Sequence, residues 1–429
     1  MHTRRSRLPG PKVLIALAAS PMVAIFLSAN LVNVGNLAFN VILSRWLGPS
    51  DFGQLATLLT LFLAVMAVLS AVQLAVSEKI AAARGQMWPE ALARLARRAL
   101  VAGGLAVPVL GLLVVVTGIG SAIGLDDPSL LVILLCALPL ALPLAIARGV
   151  AMGRLDARAV ILSAQIEVWV RLIGALVAWR AGFGLGGIIA ALTISVLAGW
   201  LPLWRLTFPR GTGALTAPRI GQALCLAALP FAALQAGQVV LLDADILIAQ
   251  LRLGSVEAGY VAAFALFQRI QFFACFSLSS VLLPGVASAV SAGSSPARAA
   301  LPVFALYAAV TLPLLAGTIL APQALLTMLV GPAFVPAAPL LPAVSAGAAS
   351  FTLSYLIATY LAAKGDRAGL WLVAAWAPLQ LGVLAGTAHD LTALVSVKLA
   401  AQLALLSLLS LRALRFRKVT FVPSQPVNP

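Results

Sequence analysis

Twelve apolar runs of membrane-spanning length follow one another along this sequence. A helix needs about 20 mostly apolar residues to cross the hydrocarbon core of a bilayer. The runs cover most of the chain: about 20–44, 54–77, 99–120, 129–151, 160–180, 184–204, 222–251, 260–284, 301–321, 340–363, 369–388 and 391–411. The connections between them are short and rich in Gly, Pro and charge, so none can hold a folded soluble domain. The pattern predicts an all-α polytopic membrane protein.

The composition excludes the water-soluble classes of protein. Hydrophobic residues make up 62% of the chain and charged residues 9%, whereas a soluble domain carries roughly 25% charged residues. The mean hydropathy is +1.07. Three cysteines, Cys136, Cys225 and Cys275, lie in apolar runs without the spacing of metal ligands. We therefore expect no disulfide framework, metal site or cofactor.

Positive residues are confined almost entirely to alternate connections. One set of connections and termini holds 22 Lys and Arg residues, and the opposite set holds three, Arg45, Arg180 and Arg252. Cytoplasmic connections carry the excess of positive charge, so both termini are predicted to be cytoplasmic, which requires an even number of spans. The net charge of +16 is thus explained by topology, and we expect no nucleic-acid partner.

An internal repeat divides the chain into halves. The segments 45-RWLGPSDFGQ-54 and 251-LRLGSVEAGY-260 share the pattern Leu-Gly-x-x-acid-x-Gly at an offset of 206 residues. Each copy follows the first span of its half, and six spans separate the copies, so both halves cross the membrane in the same direction. We predict two six-helix lobes, residues 1–210 and 211–429, related by a pseudo-twofold axis along the membrane normal.

Three segments resemble motifs of a transporter family. They are the first copy of the repeat, the stretch from 245-DILI through 253-LGSVEAGYVAA-263, and 330-VGPAFVPAAPLL-341. Together they resemble the polysaccharide-transporter branch of the multidrug/oligosaccharidyl-lipid/polysaccharide exporter superfamily. The resemblance implies a V-shaped pair of lobes in the bacterial cytoplasmic (inner) membrane. It implies a transporter, not an enzyme, that flips polyprenyl-diphosphate-linked oligosaccharide to the outer leaflet by alternating access.

The resemblance also implies a place in polysaccharide biosynthesis and leaves alternatives open. The substrate would be a precursor of O-antigen, lipopolysaccharide or exopolysaccharide, and the partners would be membrane lipid and a polysaccharide polymerase or glycosyltransferase. One alternative is a cation-coupled multidrug or small-molecule exporter of the same superfamily. Another is a polytopic glycosyltransferase or polymerase, although the short outer loops argue against it. Because the chain has no G-x-x-x-x-G-K-[ST] motif, energy would come from an ion gradient or from consumption of the product.

Six charged residues lie inside the predicted spans, where insertion of each costs about 2.5–3.5 kcal/mol. They are Glu167, Arg171, Asp243, Asp245, Arg269 and Lys398. Glu167 and Arg171 are spaced i, i+4, so they either neutralise each other or hold Arg171 ready for a diphosphate. Asp245 and Arg269 are equidistant from residue 257, which predicts an ion pair across two antiparallel helices, either permanent or switching. Asp243 points about 200° away from Asp245, and Lys398 has no evident partner.

Amide side chains form polar stripes on the first and seventh spans. Asn30, Asn33, Asn36 and Asn40 share one face of span one, and Gln235, Gln238 and Asp245 share one face of span seven. We predict that they line a hydrated cavity between the lobes, or else join helices by hydrogen bonds. The candidate substrate-binding residues are Arg171, Arg269, Asn33, Asn36, Asn40, Gln235, Gln238, Arg45 and Lys398. The candidate coupling or ion-pair residues are Asp245, Glu167 and Asp243, and no residue is predicted to be catalytic.

Overall fold

The computed structural model describes residues 21–82, 88–208 and 220–415, and within these ranges the chain is helical without any β-strand. The α-helices, in chain order, are α1 Pro21–Ala82, α2 Trp88–Thr117, α3 Ile119–Ala122, α4 Ser129–Leu135, α5 Leu138–Gly153, α6 Ala157–Arg180, α7 Gly184–Trp200, α8 Trp204–Thr207, α9 Ile220–Arg252, α10 Ser255–Ser291, α11 Pro296–Leu320, α12 Pro322–Leu329, α13 Leu341–Ala363, α14 Ala368–Thr387 and α15 Leu391–Arg415. Two 3₁₀ segments, Leu201–Leu203 and Pro332–Leu340, connect neighbouring helices.

The predicted number and order of spans are confirmed. Ten stretches of the described residues are long and apolar enough to cross a membrane. One of them, Leu27–Ala81, has 55 residues and would extend about 80 Å as a single helix, against about 30 Å for the bilayer core. It is broken at Gly48, whose φ of 71° and ψ of 178° are not helical, and therefore crosses twice. The 33-residue helix α9 supplies the remaining span of a multi-pass membrane protein with about twelve transmembrane helices.

The chain divides into two compact units. Among the described residues, unit 1 comprises 21–47, 54–82, 88–208 and 220–236, and unit 2 comprises 48–53 and 237–415. The division falls inside α9, between Ala236 and Gly237. The boundary that we predicted, between residues 210 and 211, lies outside the described residues.

Small residues bring the helices of unit 1 close together. On α5, Gly149 and Gly153 are spaced as in a GxxxG motif, which lets membrane helices approach closely. A Cβ at Gly149 would lie 2.7 Å from the backbone oxygen of Gln73, and one at Gly153 would lie 2.7 Å from that of Ser77. The core beside this contact contains Ala71, Ala75, Val76, Leu92, Ala96, Ile146, Val150, Leu224 and Ala228.

Unit 2 is built around α13, which packs on α10, α11, α14 and α15. The rings of Phe272 and Phe351 stack with their centroids 5.5 Å apart at the centre of its core. Hydroxyl groups on α13 donate to backbone carbonyls one turn earlier, as Ser354 does to Ser350 and Thr359 does to Tyr355. These bonds satisfy polar groups within the helix, as a lipid environment demands.

The two copies of the repeat pack against each other inside unit 2. A Cβ at Gly53 would clash with the carbonyl oxygen of Ser255, and one at Gly259 would clash with the carbonyl oxygen of Pro49. Since Gly53 corresponds to Gly259 and Pro49 to Ser255 in the repeat, each copy supplies the same glycine and the same carbonyl. Only glycine allows so close an approach of two backbones.

The third motif joins the same contact. Phe334, in the 3₁₀ segment Pro332–Leu340, is fully buried. Its ring lies edge-on to Phe52 of the first copy, at 5.9 Å between centroids, and to Tyr260 of the second, at 6.2 Å. The three segments that carry the family resemblance therefore converge at one place in unit 2.

Candidate functional site

A buried cluster in unit 1 contains one carboxylate and two guanidinium groups. Glu167 on α6 accepts from Arg171 Nη2 at 2.6 Å through Oε1 and from Arg148 Nη2 at 2.7 Å through Oε2. The predicted pairing of Glu167 with Arg171 is present. Arg148, which the charge count assigned to a cytoplasmic connection, lies instead in α5 with a side chain only 14% exposed. The cluster therefore carries one net positive charge.

Hydrogen bonds from three helices fix this cluster. Arg148 Nε donates to Ser163 Oγ at 2.8 Å, and Ser163 Oγ donates to the carbonyl oxygen of Gly199 at 2.6 Å. Gly199 on α7 packs so closely that an added Cβ would lie 2.9 Å from Glu167 Cβ. The carboxylate is thus held in a buried position between two arginines.

Arg171 extends the cluster to the asparagine stripe of α1. Its Nη1 donates to Asn36 Oδ1 at 3.0 Å, and Asn40 Nδ2 donates to the carbonyl oxygen of Asn36 at 2.8 Å. The guanidinium also lies 5.7 Å from the centroid of the Phe62 ring. Arg171 Nε is buried and has no hydrogen-bond partner among the described residues, although an unmet buried donor costs about 1–3 kcal/mol. A ligand oxygen at this position would satisfy it.

The remaining predicted amides occupy varied environments. Asn33 is exposed on α1, whereas Asn36 and Asn40 are half-buried. Gln235 belongs to unit 1 and accepts a hydrogen bond from Ser70 Oγ, while Gln238 belongs to unit 2 and is half-buried. The cavity that we predicted between the lobes stays a prediction.

One polar contact of α1 was missing from our prediction. Gln165 on α6 donates through Nε2 to both the backbone oxygen and the Oγ of Ser28, each at 2.9 Å. The indication in the sequence was that Gln165 is a polar residue inside a predicted span, on the same helix as Glu167.

The second buried cluster, in unit 2, corrects the predicted pair of Asp245 with Arg269. Asp245 Oδ2 instead accepts from Lys398 Nζ at 2.6 Å, and Arg269 Nη2 donates to Asp243 Oδ1 at 2.9 Å. Equal distance from the turn fixes the depth of a residue in a helical hairpin, but its direction around the helix decides the partner. Because Asp243 and Asp245 point about 200° apart, one faces α10 and the other faces α15.

Lys398 is the centre of this second cluster. Besides Asp245, its Nζ donates to Gln268 Oε1 at 2.8 Å and to the carbonyl oxygen of Leu242 at 3.1 Å. The three bonds use all three ammonium protons. A small void beside it, lined in part by Gln402, has room for about one water molecule. In the part of the chain that the structure describes, the buried atoms Asp245 Oδ1 and Gln402 Nε2 have no partner.

Two further features complete the predicted set. Arg45 is exposed at the end of the first half of α1. Among the described residues, no group of three or more His, Cys, Asp or Glu side chains could hold a metal ion.

Solved transporters share this architecture. An inward-facing multidrug resistance MATE family transporter of the MOP superfamily superposes with a TM-score of 0.70 at 16% identity, covering 94% of this chain and 100% of that chain. The lipid II flippase MurJ, in an inward closed conformation, gives a TM-score of 0.74 at 11% identity, covering 91% and 87%. The eukaryotic MATE transporter AtDTX14 gives 0.57 at 16% identity, covering 91% and 93%.

The chain has the fold of MATE transporters and MurJ. No family model matches the sequence, and no curated protein matches it. At these identities the similarity establishes the fold alone, and the residues of the two clusters must supply any argument about the substrate.

Proposed function

We propose that the chain flips a polyprenyl-diphosphate-linked oligosaccharide, a polysaccharide or O-antigen precursor, from the cytoplasmic to the outer leaflet. The observation that carries the proposal is the net positive cluster of Glu167, Arg148 and Arg171. A buried excess of positive charge attracts a diphosphate and disfavours a cationic drug. Guanidinium groups also match phosphate oxygens in geometry.

The cluster and the asparagine stripe supply complementary chemistry for such a head group. Arg171 Nε, for which no described residue is a partner, would donate to a phosphate oxygen, while Glu167 and Arg148 hold the guanidinium in position. The amides of Asn33, Asn36 and Asn40 would meet sugar hydroxyls, because an amide offers both donors and an acceptor. The polyprenyl tail would remain in lipid.

Unit 2 supports the coupling of transport to an ion gradient. The four of its charged residues that lie inside predicted spans form two neutral pairs, Asp243 with Arg269 and Asp245 with Lys398. Protonation of Asp245 would remove the charge that holds Lys398, with Gln268 remaining as a neutral acceptor. Such a change would alter the contact of α9 with α15.

The alternative is a cation-coupled multidrug exporter of the same superfamily, which the fold similarity supports equally. A cationic drug requires an acidic or aromatic surface, and the acids inside the predicted spans, Glu167, Asp243 and Asp245, are already paired with basic side chains. This pairing favours the flippase. A glycosyltransferase or polymerase is disfavoured because the solved proteins of this fold are transporters and a flippase.

Loss of the protein separates the two transporter hypotheses. In cells without it, lipid-linked oligosaccharide should remain on the cytoplasmic leaflet and the surface polymer should be absent. Unchanged surface polymer together with increased sensitivity to toxic cations would contradict the flippase and support the exporter.

A single substitution tests the role of the cluster. Arg171→Gln should lower surface polymer per molecule of inserted protein about 10- to 100-fold, since a hydrogen bond to a charged group contributes about 1.5–3 kcal/mol. Arg158→Gln removes the same charge from an exposed position of the same helix and should transport normally. Equal transport by the two variants would contradict the role of Arg171.

A further inference from the structure

A groove on the surface of unit 1 runs between the first half of α1 and the end of α6. Its volume is about 910 Å³, within the roughly 300–1,000 Å³ typical of ligand sites. Most of the wall is apolar, and two arginines and a tryptophan lie toward the ends of the two helices. The lining residues are Ile42, Arg45, Trp46, Ile173, Leu176, Val177, Arg180 and Ala181.

The two arginines are unusual for the side of the membrane on which they are predicted to lie. Only three basic residues belong to the outer set of connections, because positive charge is retained on the cytoplasmic side. Arg252 has a structural role, since its Nη2 donates to the carbonyl oxygen of Ala385 at 2.9 Å, near the end of α14. The other two, Arg45 and Arg180, line the same groove.

Tryptophans place the arginine end of the groove at the level of a membrane interface. The rings of Trp46 and Trp179 stack with centroids 6.3 Å apart, and Trp is enriched where lipid meets water. Arg180 Cζ lies 5.8 Å from the centroid of the Trp46 ring, which holds the guanidinium beside the groove. The groove thus combines apolar walls with positive charge at head-group depth.

The groove is separate from the cluster proposed to bind the translocated head group. At 100° per residue, Ile173, Val177 and Arg180 point about 180–240° away from Arg171 around α6. In agreement, Arg171 is 9% exposed whereas Ile173 and Val177 are 56% and 61% exposed. The groove therefore faces away from Glu167 and its partners, which favours a lipid of the surrounding bilayer over the lipid in transit.

We propose that this groove binds one anionic phospholipid of the outer leaflet, with its phosphate at Arg45 and Arg180 and its acyl chains along Ile42, Ile173 and Val177. The lining residues include two basic side chains and no acidic one, so the groove is complementary to a lipid phosphate that carries net negative charge. A zwitterionic lipid of the same chain length would gain less from the two guanidiniums. The proposal does not depend on which substrate the protein transports.

Native mass spectrometry of the purified full chain tests the proposal with three probes. These are phosphatidylglycerol, phosphatidylcholine with the same acyl chains, and a polyprenyl diphosphate. Wild-type protein should retain phosphatidylglycerol in preference to phosphatidylcholine, and R45Q/R180Q should bind it at least about tenfold more weakly. Arg252→Gln, which removes a positive charge from the same predicted side, should bind like wild type. R45Q and R180Q alone should each bind phosphatidylglycerol more weakly than wild type does.

Three results would overturn the assignment. Equal retention of the two phospholipids, or unchanged phosphatidylglycerol binding in the double variant, would show that the groove does not select an anionic lipid. Preference for polyprenyl diphosphate, lost in the double variant, would show that the occupant is the transported lipid class instead.

A second measurement uses no arginine variant, so it stands even if R45Q/R180Q folds poorly. The fluorescence of Trp46 is the part of the tryptophan signal that is lost in Trp46→Phe. Phosphatidylglycerol with brominated chains should quench this fluorescence more strongly than brominated phosphatidylcholine does. Equal quenching by the two lipids would contradict the proposal.

Discussion

Removing the charge of Asp245 should destabilise the protein strongly. Its carboxylate and the Lys398 ammonium are 2.6 Å apart, and their side chains are only 4% and 5% exposed. Taking away one partner of a buried ion pair leaves the other charge without compensation, at a cost of about 3–5 kcal/mol. Because Gln268 Oε1 and the carbonyl oxygen of Leu242 still accept from Lys398, we expect Asp245→Asn to fall near the lower end, at about 3 kcal/mol.

A double variant and a second ion pair provide the controls. D245N/K398M replaces both charges, and a neutral pair in a buried site is often as stable as the ion pair, so it should recover most of the lost stability. Asp366→Asn breaks the pair of Asp366 with Arg412, whose side chain is 40% exposed. Solvent screens such a pair, and the loss should be much smaller than for Asp245→Asn.

Thermal unfolding of the purified variants in one detergent measures these differences. Unfolding of Asp245→Asn at the wild-type temperature would refute the reasoning, as would a double variant no more stable than the two single ones. Transport by the recovered double variant then separates two roles. Normal transport would show that the pair of Asp245 with Lys398 has only a structural role. A folded but inactive protein would support coupling through their separation.

Three further predictions concern topology, packing and pH. Single cysteines in the connections assigned to the outer side should react with an impermeant thiol reagent in intact cells, and labelling only after permeabilisation would reverse the orientation. The connections are 48–53, 254–259 and 387–390. Gly259→Ala should lower the unfolding temperature, because its Cβ would fall on a backbone oxygen, whereas Gly285→Ala on the same helix meets nothing within 4 Å and should not. Hydrogen bonds from Arg412 lower the pKa of Asp366. The stabilisation by this pair is therefore present above the ordinary carboxyl pKa and is lost as the pH falls through the lowered pKa. Asp366→Asn should abolish this loss of stability at acid pH in melting curves.

The spans and the repeat could be predicted because each depends on the local sequence. Bilayer thickness sets the length of an apolar run, and a break such as the one at Gly48 separates one span from the next. The pair of Glu167 with Arg171 was equally accessible, since a spacing of four residues places both side chains on one face of one helix. No tertiary information was needed for any of these.

The partners of Asp245 and Arg269 depend on how helices are rotated and which helices are neighbours. Sequence distance from a turn gives depth alone, and nothing in the sequence, across a separation of 153 positions between Asp245 and Lys398, marks α15 as a neighbour of α9. Arg148 was counted with a connection because it lies near the end of the predicted run 129–151. The helix continues to Gly153, and the arginine lies inside it and bonds to Glu167.

These corrected contacts change the distribution of charge between the clusters. The six charged residues found in the predicted spans have a net charge of zero, which gave no reason to expect an anionic ligand. With Arg148 included, the cluster of Glu167 and Arg171 in unit 1 is positive, whereas the pairs of Asp243 with Arg269 and of Asp245 with Lys398 in unit 2 are each neutral. A positive cluster lowers the free energy of a bound anion, while a neutral pair contributes little attraction and instead changes charge when a proton arrives. Under the proposed function, we therefore assign head-group binding to the cluster in unit 1 and coupling to the cluster in unit 2.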